Sequence, residues 1–243
     1  MFHKLYKSLI TDICCLCDTN GLTGVDLCFN CHKLLPHNHF CCYQCAAPFS
    51  GESGMRSGIC GRCLSRQGSV DHSIIPFLYR PPVDFMIKRL KFSEQLKYSR
   101  LLGDLLADAV EAYYTSNKPI ENSHGFPKVI LPVPTHRQKL LQRGFNQAEQ
   151  IANTVASRFA GKCDTSAVVR TRSSPPQSSL SAARREVNIR RSFEIVKPEN
   201  INGLHVAVVD DVYTTGATAQ AIATKLKSAG AARVSIWAVA RTP

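Results

Sequence analysis

The residues with the clearest capacity for chemistry are two adjacent acids followed by a turn of threonines and glycine. In the segment His205-Val-Ala-Val-Val-Asp-Asp-Val-Tyr-Thr-Thr-Gly-Ala-Thr218, an apolar run leads into Asp210 and Asp211, and the turn follows at once. A helix that begins at such a turn presents unpaired backbone amides and the positive end of its dipole to an anion. Carboxylates just upstream can accept hydrogen bonds from the hydroxyls of an attached ribose. The pattern therefore predicts a sugar phosphate site. Because consecutive strand residues point to opposite sides, we do not expect the two acids to share a proton.

A second chemical feature is the pairing of cysteines near the N-terminus. Eight of the eleven cysteines form C-x-x-C pairs, a spacing that turns two thiolates toward one tetrahedral Zn²⁺. The segment is poor in periodic apolar residues, so metal must supply its folding free energy. We expect two structural zinc ions, each held by pairs adjacent in sequence, although a crossed pairing, or Cys41 in place of Cys42, stays open. The expected groups are Cys14, Cys17, Cys28 and Cys31, and then Cys42, Cys45, Cys60 and Cys63.

The elements that must position these residues are short apolar runs alternating with helical segments from Lys128 onward. Apolar runs of this kind are typical of parallel strands buried on both faces. Apolar residues recur with helical period at 145–159 and at 222–229, and Gly230 stands where a helix ends. Upstream, the apolar run 74–79 predicts a short strand. Pro81-Pro82 ends this strand and opens a helix, which a second helix follows. The predicted strands of the sheet are 129–131, 167–169, 206–209 and 234–240.

Length, charge and cysteine content limit the class of protein. A chain of 243 residues accommodates two domains, which we place at 1–68 for a double zinc ribbon and 72–243 for an α/β domain. The net charge of +12 favours an anionic partner such as phosphate, nucleic acid or anionic lipid. No signal-like N-terminus and no run of ~20 apolar residues is present. Paired thiols suit a reducing compartment, so we expect a cytoplasmic protein without a membrane span.

Two basic segments are further candidates for phosphate binding. Lys88, Arg89 and Lys91 lie on one predicted helix, where a solvated basic face is the preferred interpretation and a phosphate-binding face the alternative. Between Arg170 and Arg191 the chain carries six arginines and one acid, with two prolines that forbid a continuous helix. A cationic loop that closes over a phosphate ligand would explain this composition.

The acid and threonine segment resembles the phosphoribosyl pyrophosphate motif of type I phosphoribosyltransferases. Other segments resemble loops of the ComF/GntX family: Leu131-Pro-Val-Pro-Thr-His-Arg137, Arg143-Gly-Phe-Asn-Gln147, and the basic loop that begins Arg170-Thr-Arg-Ser-Ser-Pro-Pro-Gln177. With the four cysteine pairs, the resemblance covers nearly the whole chain. Ser174 stands where threonine is expected and keeps the hydroxyl.

The resemblance implies a fold and a set of roles. The fold would be α/β, with a type I phosphoribosyltransferase-like parallel sheet flanked by helices and a small N-terminal zinc-ribbon domain. The ligand would be phosphoribosyl pyrophosphate with Mg²⁺, but no segment indicates the nitrogenous acceptor or a general base. Asp210, Asp211 and Arg185 would be the catalytic residues. The substrate-binding residues would be Pro134, Thr135, His136, Arg137, Arg143, Thr214, Thr215, Gly216, Ala217 and Thr218.

The resemblance also implies a role in DNA uptake during natural transformation, with DNA-uptake proteins as partners. Two alternatives keep the same pocket: a catalytically silent nucleotide or phosphoribosyl pyrophosphate sensor, and an active phosphoribosyltransferase of nucleotide metabolism. Single-stranded DNA is a further candidate partner for the ribbons and the basic surface. Phe29, Phe40 and Tyr43 among the cysteines could stack on bases or could serve local packing.

Overall fold

A computed structural model describes residues 13–22, 25–49, 58–65, 68–92, 96–116, 125–159, 161–171, 189 and 192–243. The helices in these ranges are α1 (Phe29–Lys33), α2 (Gly61–Ser65), α3 (Val83–Phe92), α4 (Lys97–Ser116), α5 (Arg137–Arg143), α6 (Gln147–Arg158) and α7 (Ala217–Ser228). The strands are β1 (His72–Ile74), β2 (Phe77–Leu78), β3 (Val129–Pro132), β4 (Lys162–Cys163), β5 (Val168–Arg170), β6 (Phe193–Ile195), β7 (His205–Tyr213) and β8 (Arg233–Arg241).

The main sheet is parallel and runs in the order β1-β8-β7-β3-β4, with β2 also paired to β8. Its centre is the long β7–β8 pair, in register from His205 opposite Arg233 to Tyr213 opposite Arg241. Every residue of β8 is buried, as expected for a strand covered on both faces. The predicted α/β fold with a parallel sheet is therefore confirmed.

Two hydrophobic cores flank this sheet because alternate residues of β7 point to opposite faces. Ala207 and Val209 pack with α3, α4 and α6 on one face. Val206 and Val208 pack with α7 and Phe193 on the other. Both nine-residue strands thus sit between helical layers, which fixes the end of β7 at one rim of the sheet.

Two strand predictions need correction. The run 167–169 is not a parallel strand of the main sheet, because β5 pairs antiparallel with β6 in a separate two-stranded sheet. The Asp164 carboxylate accepts hydrogen bonds from the amides of Ser166 and Ala167 and so turns the chain away from β4. The predicted strand 74–79 is interrupted, since β1 and β2 pair separately with β8 on either side of Ile75-Pro76.

The cysteine-rich segment packs against both faces of the α/β sheet. The first group contributes Cys14 to the core that contains α4, where the Tyr98 hydroxyl donates to the Cys15 carbonyl at 3.1 Å. The second group contributes Cys42 and Cys45 to the core that contains α7. Among the residues that the structure describes, no helix is both long and apolar enough to cross a membrane.

Candidate ligand cavity and metal sites

The rim of the sheet where β3 and β7 end holds a cavity of about 200 Å³. Ligands in open α/β folds bind at this edge, because loops from several strands converge there. Of the predicted site residues, six line the cavity: Pro134, Thr135, Arg143, Asp210, Asp211 and Thr218. The structure therefore brings together residues that lie more than 80 positions apart in the chain.

Asp210 and Asp211 both line the cavity. The Asp211 amide donates to the Asp210 carboxylate at 2.9 Å, and the Val212 amide donates to the Asp211 carboxylate at 2.9 Å. Each carboxylate thus accepts a hydrogen bond from the amide of the residue that follows it. Both acids line the cavity, and the expectation that they do not share a proton stays a prediction.

The electrostatics of the pair are set by burial and by one lysine. Lys91 Nζ on α3 lies 2.6 Å from the Asp211 carboxylate, and Asp211 is only 8% exposed. Burial raises the pKa of Asp210 well above its ordinary value, and the neighbouring Asp211 charge raises it further, while the Lys91 ammonium acts against both. The cavity thus holds a carboxylate pair that a cation or a hydroxyl donor would stabilise.

The turn after β7 presents backbone amides, as the sequence predicts. Gly216 adopts φ +80° and precedes α7, whose first backbone bond runs from the Gln220 amide to the Gly216 carbonyl at 2.9 Å. The amides of Ala217, Thr218 and Ala219 therefore precede the helical ladder and can face an anion. The Ala217 amide also donates to the Thr215 hydroxyl at 3.4 Å. Thr218 lines the cavity. Thr214 and Thr215 are exposed, and Gly216 is buried outside the lining.

The loop after β3 is braced by an amide side chain. Asn146 accepts a hydrogen bond from the Thr135 hydroxyl at 2.8 Å and donates to the Val133 carbonyl at 3.1 Å. His136 caps α5 by accepting from the Gln138 amide, and Arg137 at the start of that helix is exposed. His136 and Arg137 therefore lie beside the cavity and do not line it.

Several lining residues were missed or undervalued by the sequence analysis. Lys91 is in the cavity wall, so the solvated-face interpretation is wrong for it, whereas Lys88 pairs with Asp84 at 2.8 Å on the exposed side of α3. No motif or pattern in the sequence pointed to Lys139. Desolvation and the positive charges of Arg143, Arg170 and Lys91 lower the pKa of Lys139. Four cationic side chains therefore converge on one small space.

Gln147 is the other addition, and its segment was already among those quoted for the family. Its side chain is 4% exposed and lines the cavity. Its Nε2 has no hydrogen-bond partner among the described residues. A buried amide donor that lacks a partner costs about 1–3 kcal/mol, which a ligand oxygen would recover.

The basic loop is described only at its two ends. The Arg170 guanidinium lies 5.4 Å from the centre of the Phe193 ring, and both residues sit at the β5–β6 pair beside the cavity. Residues 172–188, including the predicted catalytic Arg185, lie outside the described residues. The assignment of Arg185 therefore stays a prediction.

The eight paired cysteines form two tetrads in the order expected from sequence. The ligand sulfurs of each tetrad all lie within 4.8 Å of one another. Individual Sγ–Sγ distances are 3.6 Å for Cys17–Cys28 and 3.7 Å for Cys45–Cys60. Tetrahedral thiolates at ~2.3 Å from Zn²⁺ are separated by ~3.8 Å, so both tetrads fit such an ion.

Comparison with known proteins decides the family. A phosphoribosyl transferase domain matches residues 143–243. The DNA utilization protein YhgH of Salmonella typhi is 30% identical over 235 residues, which cover 96% of this chain and 98% of the relative. Competence protein F of Haemophilus influenzae is 30% identical over 185 residues, which cover 75% of this chain and 78% of the relative. This chain belongs to the ComF/GntX family.

Solved structures add little to that ComF/GntX assignment. An allosteric regulatory enzyme of purine biosynthesis is 21% identical with a TM-score of 0.37, and the match covers 58% of this chain and 25% of the enzyme. A similarity at that level carries no argument about this protein.

The tetrads predict the metal content of the ComF-type chain. The purified protein should contain two equivalents of zinc by inductively coupled plasma mass spectrometry, one for each tetrad. Cys17→Ser and Cys60→Ser should each remove one equivalent, because three thiolates hold structural zinc far less tightly than four. Cys163→Ser, outside the tetrads, should retain both. Iron in place of zinc, or full zinc occupancy in both tetrad variants, would contradict the assignment.

The raised pKa of Asp210 predicts a pH-dependent change in stability. Its contribution to folding is fully present below the unfolded pKa of ~3.9 and is lost as pH rises through the folded value. Asp210→Asn should therefore raise Tm at pH 7.5 by about 2–4 °C per kcal/mol recovered, and the gain should shrink toward pH 4. Scanning fluorimetry measures both. Asp108→Asn on the exposed side of α4 is the matched control, for which no gain is expected. A lower Tm for Asp210→Asn at pH 7.5 would refute the argument.

Proposed function

We propose that this ComF-type chain binds phosphoribosyl pyrophosphate with Mg²⁺ in the cavity where β3 and β7 end. The observation that carries the proposal is the convergence on one cavity of the acid pair, the first turn of α7 and four cationic side chains. Each part suits a different part of the ligand. A sugar carrying phosphate at one end and diphosphate at the other needs all three.

The ligand's 5′-phosphate would lie at the amides of Ala217, Thr218 and Ala219, where helix geometry favours an anion. The ribose hydroxyls would donate to Asp210 and Asp211, whose mutual repulsion makes them strong acceptors. The diphosphate would then face the cationic side of the cavity, formed by Lys91, Lys139, Arg143 and Arg170.

Lys91 and Gln147 gain defined roles in this arrangement. The ribose hydroxyls would compete with Lys91 for the Asp211 carboxylate, so the ammonium would turn from Asp211 toward the diphosphate. The Gln147 amide would donate to a ligand oxygen and so gain the partner that it lacks among the described residues. Ligand binding would thus relieve two unfavourable features of the cavity at once.

The donor set also fits Mg²⁺. This ion is commonly held by one or two carboxylates together with substrate phosphates, and Asp210 and Asp211 are the carboxylates of the cavity. When bound, Mg²⁺ would neutralise negative charge on the diphosphate leaving group. The chain's own cations would share that task by holding the diphosphate oxygens.

The biological setting that we propose is DNA uptake or DNA utilization in the cytoplasm. Two relatives carry the names DNA utilization protein and competence protein. The same pocket could serve as a silent sensor or as an active transferase with a nitrogenous acceptor. Release of pyrophosphate across a panel of such acceptors separates the two, because only an active transferase breaks the bond to C1′.

Titration calorimetry with phosphoribosyl pyrophosphate and Mg²⁺ tests the binding proposal. Asp211→Asn should weaken binding about 10- to 100-fold, because it removes a charged acceptor of a ribose hydroxyl worth ~1.5–3 kcal/mol. Asp108→Asn, the same change on an exposed helix face, should bind like the wild type. Absence of heat with the wild type, or equal affinity for Asp211→Asn, would overturn the proposal.

A second candidate partner is single-stranded DNA at the cysteine-rich segment. Phe29 and Phe40 are each 58% exposed, and Lys33 Nζ lies 4.6 Å from the centre of the Phe29 ring. Local packing does not account for rings so exposed. Tyr43, in contrast, is tied to the core by a 3.1 Å hydrogen bond to Tyr113. Exposed rings beside cations suit stacked bases and a phosphate backbone.

Fluorescence anisotropy with a labelled thymidine oligonucleotide tests this contact. Affinity should fall steeply as salt rises, because bound phosphates release counterions. Phe29→Ala and Phe40→Ala should each cost about 1–3 kcal/mol, whereas Leu141→Ala, an exposed apolar residue on α5 that has no ring, should cost nothing. A flat salt response, or no difference among the three variants, would exclude the contact.

A further inference from the structure

The second cysteine tetrad lies directly behind the turn that leads into α7. Two side chains connect them: Arg241 at the end of β8 and Tyr213 at the end of β7. Both are almost fully buried, at 6% and 5% exposure. A metal site and a ligand site thus share a short, solvent-free contact path.

Arg241 links the tetrad to the end of β7. Its Nε donates to the carbonyl of Cys45 at 3.3 Å, and its Nη1 donates to the carbonyl of Tyr213 at 3.3 Å. The guanidinium also lies 5.2 Å from the centre of the Tyr213 ring. A planar group with several fixed donors holds such partners in a defined geometry. A shift of the Cys45 backbone would therefore move Arg241 and, through it, Tyr213.

Tyr213 in turn supports the glycine that opens α7. A Cβ added to Gly216 would lie 2.2 Å from the Tyr213 hydroxyl oxygen, so the phenol sits directly against the Gly216 backbone. Gly216 adopts φ +80° there. Burial raises the pKa of Tyr213 to about 12.

The first tetrad has no comparable link among the described residues. Its contacts run to α4, through Tyr98 to the Cys15 carbonyl and through Arg100 to Asp26. Its buried members pack in the core on the other face of the sheet. The two tetrads are alike in ligands and different in what they support.

We propose that the second tetrad positions the phosphate-binding turn through Arg241 and Tyr213, so that loss of metal from this tetrad weakens phosphate binding. The inference rests on the proposed function, since it concerns the same cavity. Neither residue would touch the ligand. Both are positioning residues that act through Gly216 and the first amides of α7.

The test uses the full zinc-loaded chain and two partial ligands. Ribose 5-phosphate reports on the turn, whereas inorganic pyrophosphate reports on the cationic side of the cavity. Arg241→Lys and Tyr213→Phe should weaken ribose 5-phosphate about tenfold, the effect of one lost hydrogen bond or contact. Their affinity for pyrophosphate should stay within about twofold of the wild type, a split that general destabilisation would not produce. Arg100→Ala, the anchor of the first tetrad, is the matched control and should leave both affinities unchanged.

Cys60→Ser completes the experiment, with zinc content and ribose 5-phosphate affinity measured on the same sample. Loss of one zinc together with a weakened affinity supports the coupling. Retention of wild-type affinity in Tyr213→Phe and Arg241→Lys overturns it and leaves the proposed function standing. If the wild type binds neither phosphoribosyl pyrophosphate nor ribose 5-phosphate, the proposed function fails, and this inference fails with it. Should Cys60→Ser not fold, the conservative Tyr213→Phe variant still decides.

Discussion

The structure depends on one electrostatic constraint, the presence of two adjacent carboxylates at the buried end of β7. Repulsion and desolvation oppose ionisation of the pair, and the Lys91 ammonium at 2.6 Å from Asp211 offsets part of that cost. The same cavity is also lined by four cationic side chains, and the two acids alone cannot neutralise their charge. Clustered buried charges of this kind destabilise the folded chain. A ligand that carries both hydroxyls and phosphates would offset that cost.

The cysteine tetrads extend this account beyond the cavity. Each packs on a different face of the sheet, so a metal ion held by each tetrad would support both cores. The tetrad on the α7 side lies against Arg241 and Tyr213, and through them against Gly216. In the proposed arrangement, a structural metal centre and a phosphate-binding turn would share these two side chains as a support. The cysteine-rich segment also leaves Phe29 and Phe40 exposed, as an interaction surface requires.

The parts of this architecture that sequence predicts are those encoded in local patterns. The C-x-x-C spacing predicted both tetrads, and the long apolar runs predicted β7 and β8, because ligand spacing and double-sided burial are visible over a few residues. The run 167–169 was too short to tell a parallel strand from an antiparallel one, and the turn at Asp164 decided the outcome. Lys91 and Lys139 reach the cavity only through tertiary packing, since nothing in their own segments distinguishes them from solvated lysines. The acid pair shows the same limit: alternation along a strand predicts opposite sides for Asp210 and Asp211, yet both line one cavity.

A crystal structure of the chain with phosphoribosyl pyrophosphate and Mg²⁺ would decide whether the acid pair and the first turn of α7 hold this ligand. We expect the 5′-phosphate within hydrogen-bond distance of the amides of Ala217 to Ala219 and the ribose hydroxyls on Asp210 and Asp211. We also expect Lys91 to leave Asp211 and contact the diphosphate. A ligand bound elsewhere, with the ion pair between Lys91 and Asp211 intact, would contradict this expectation.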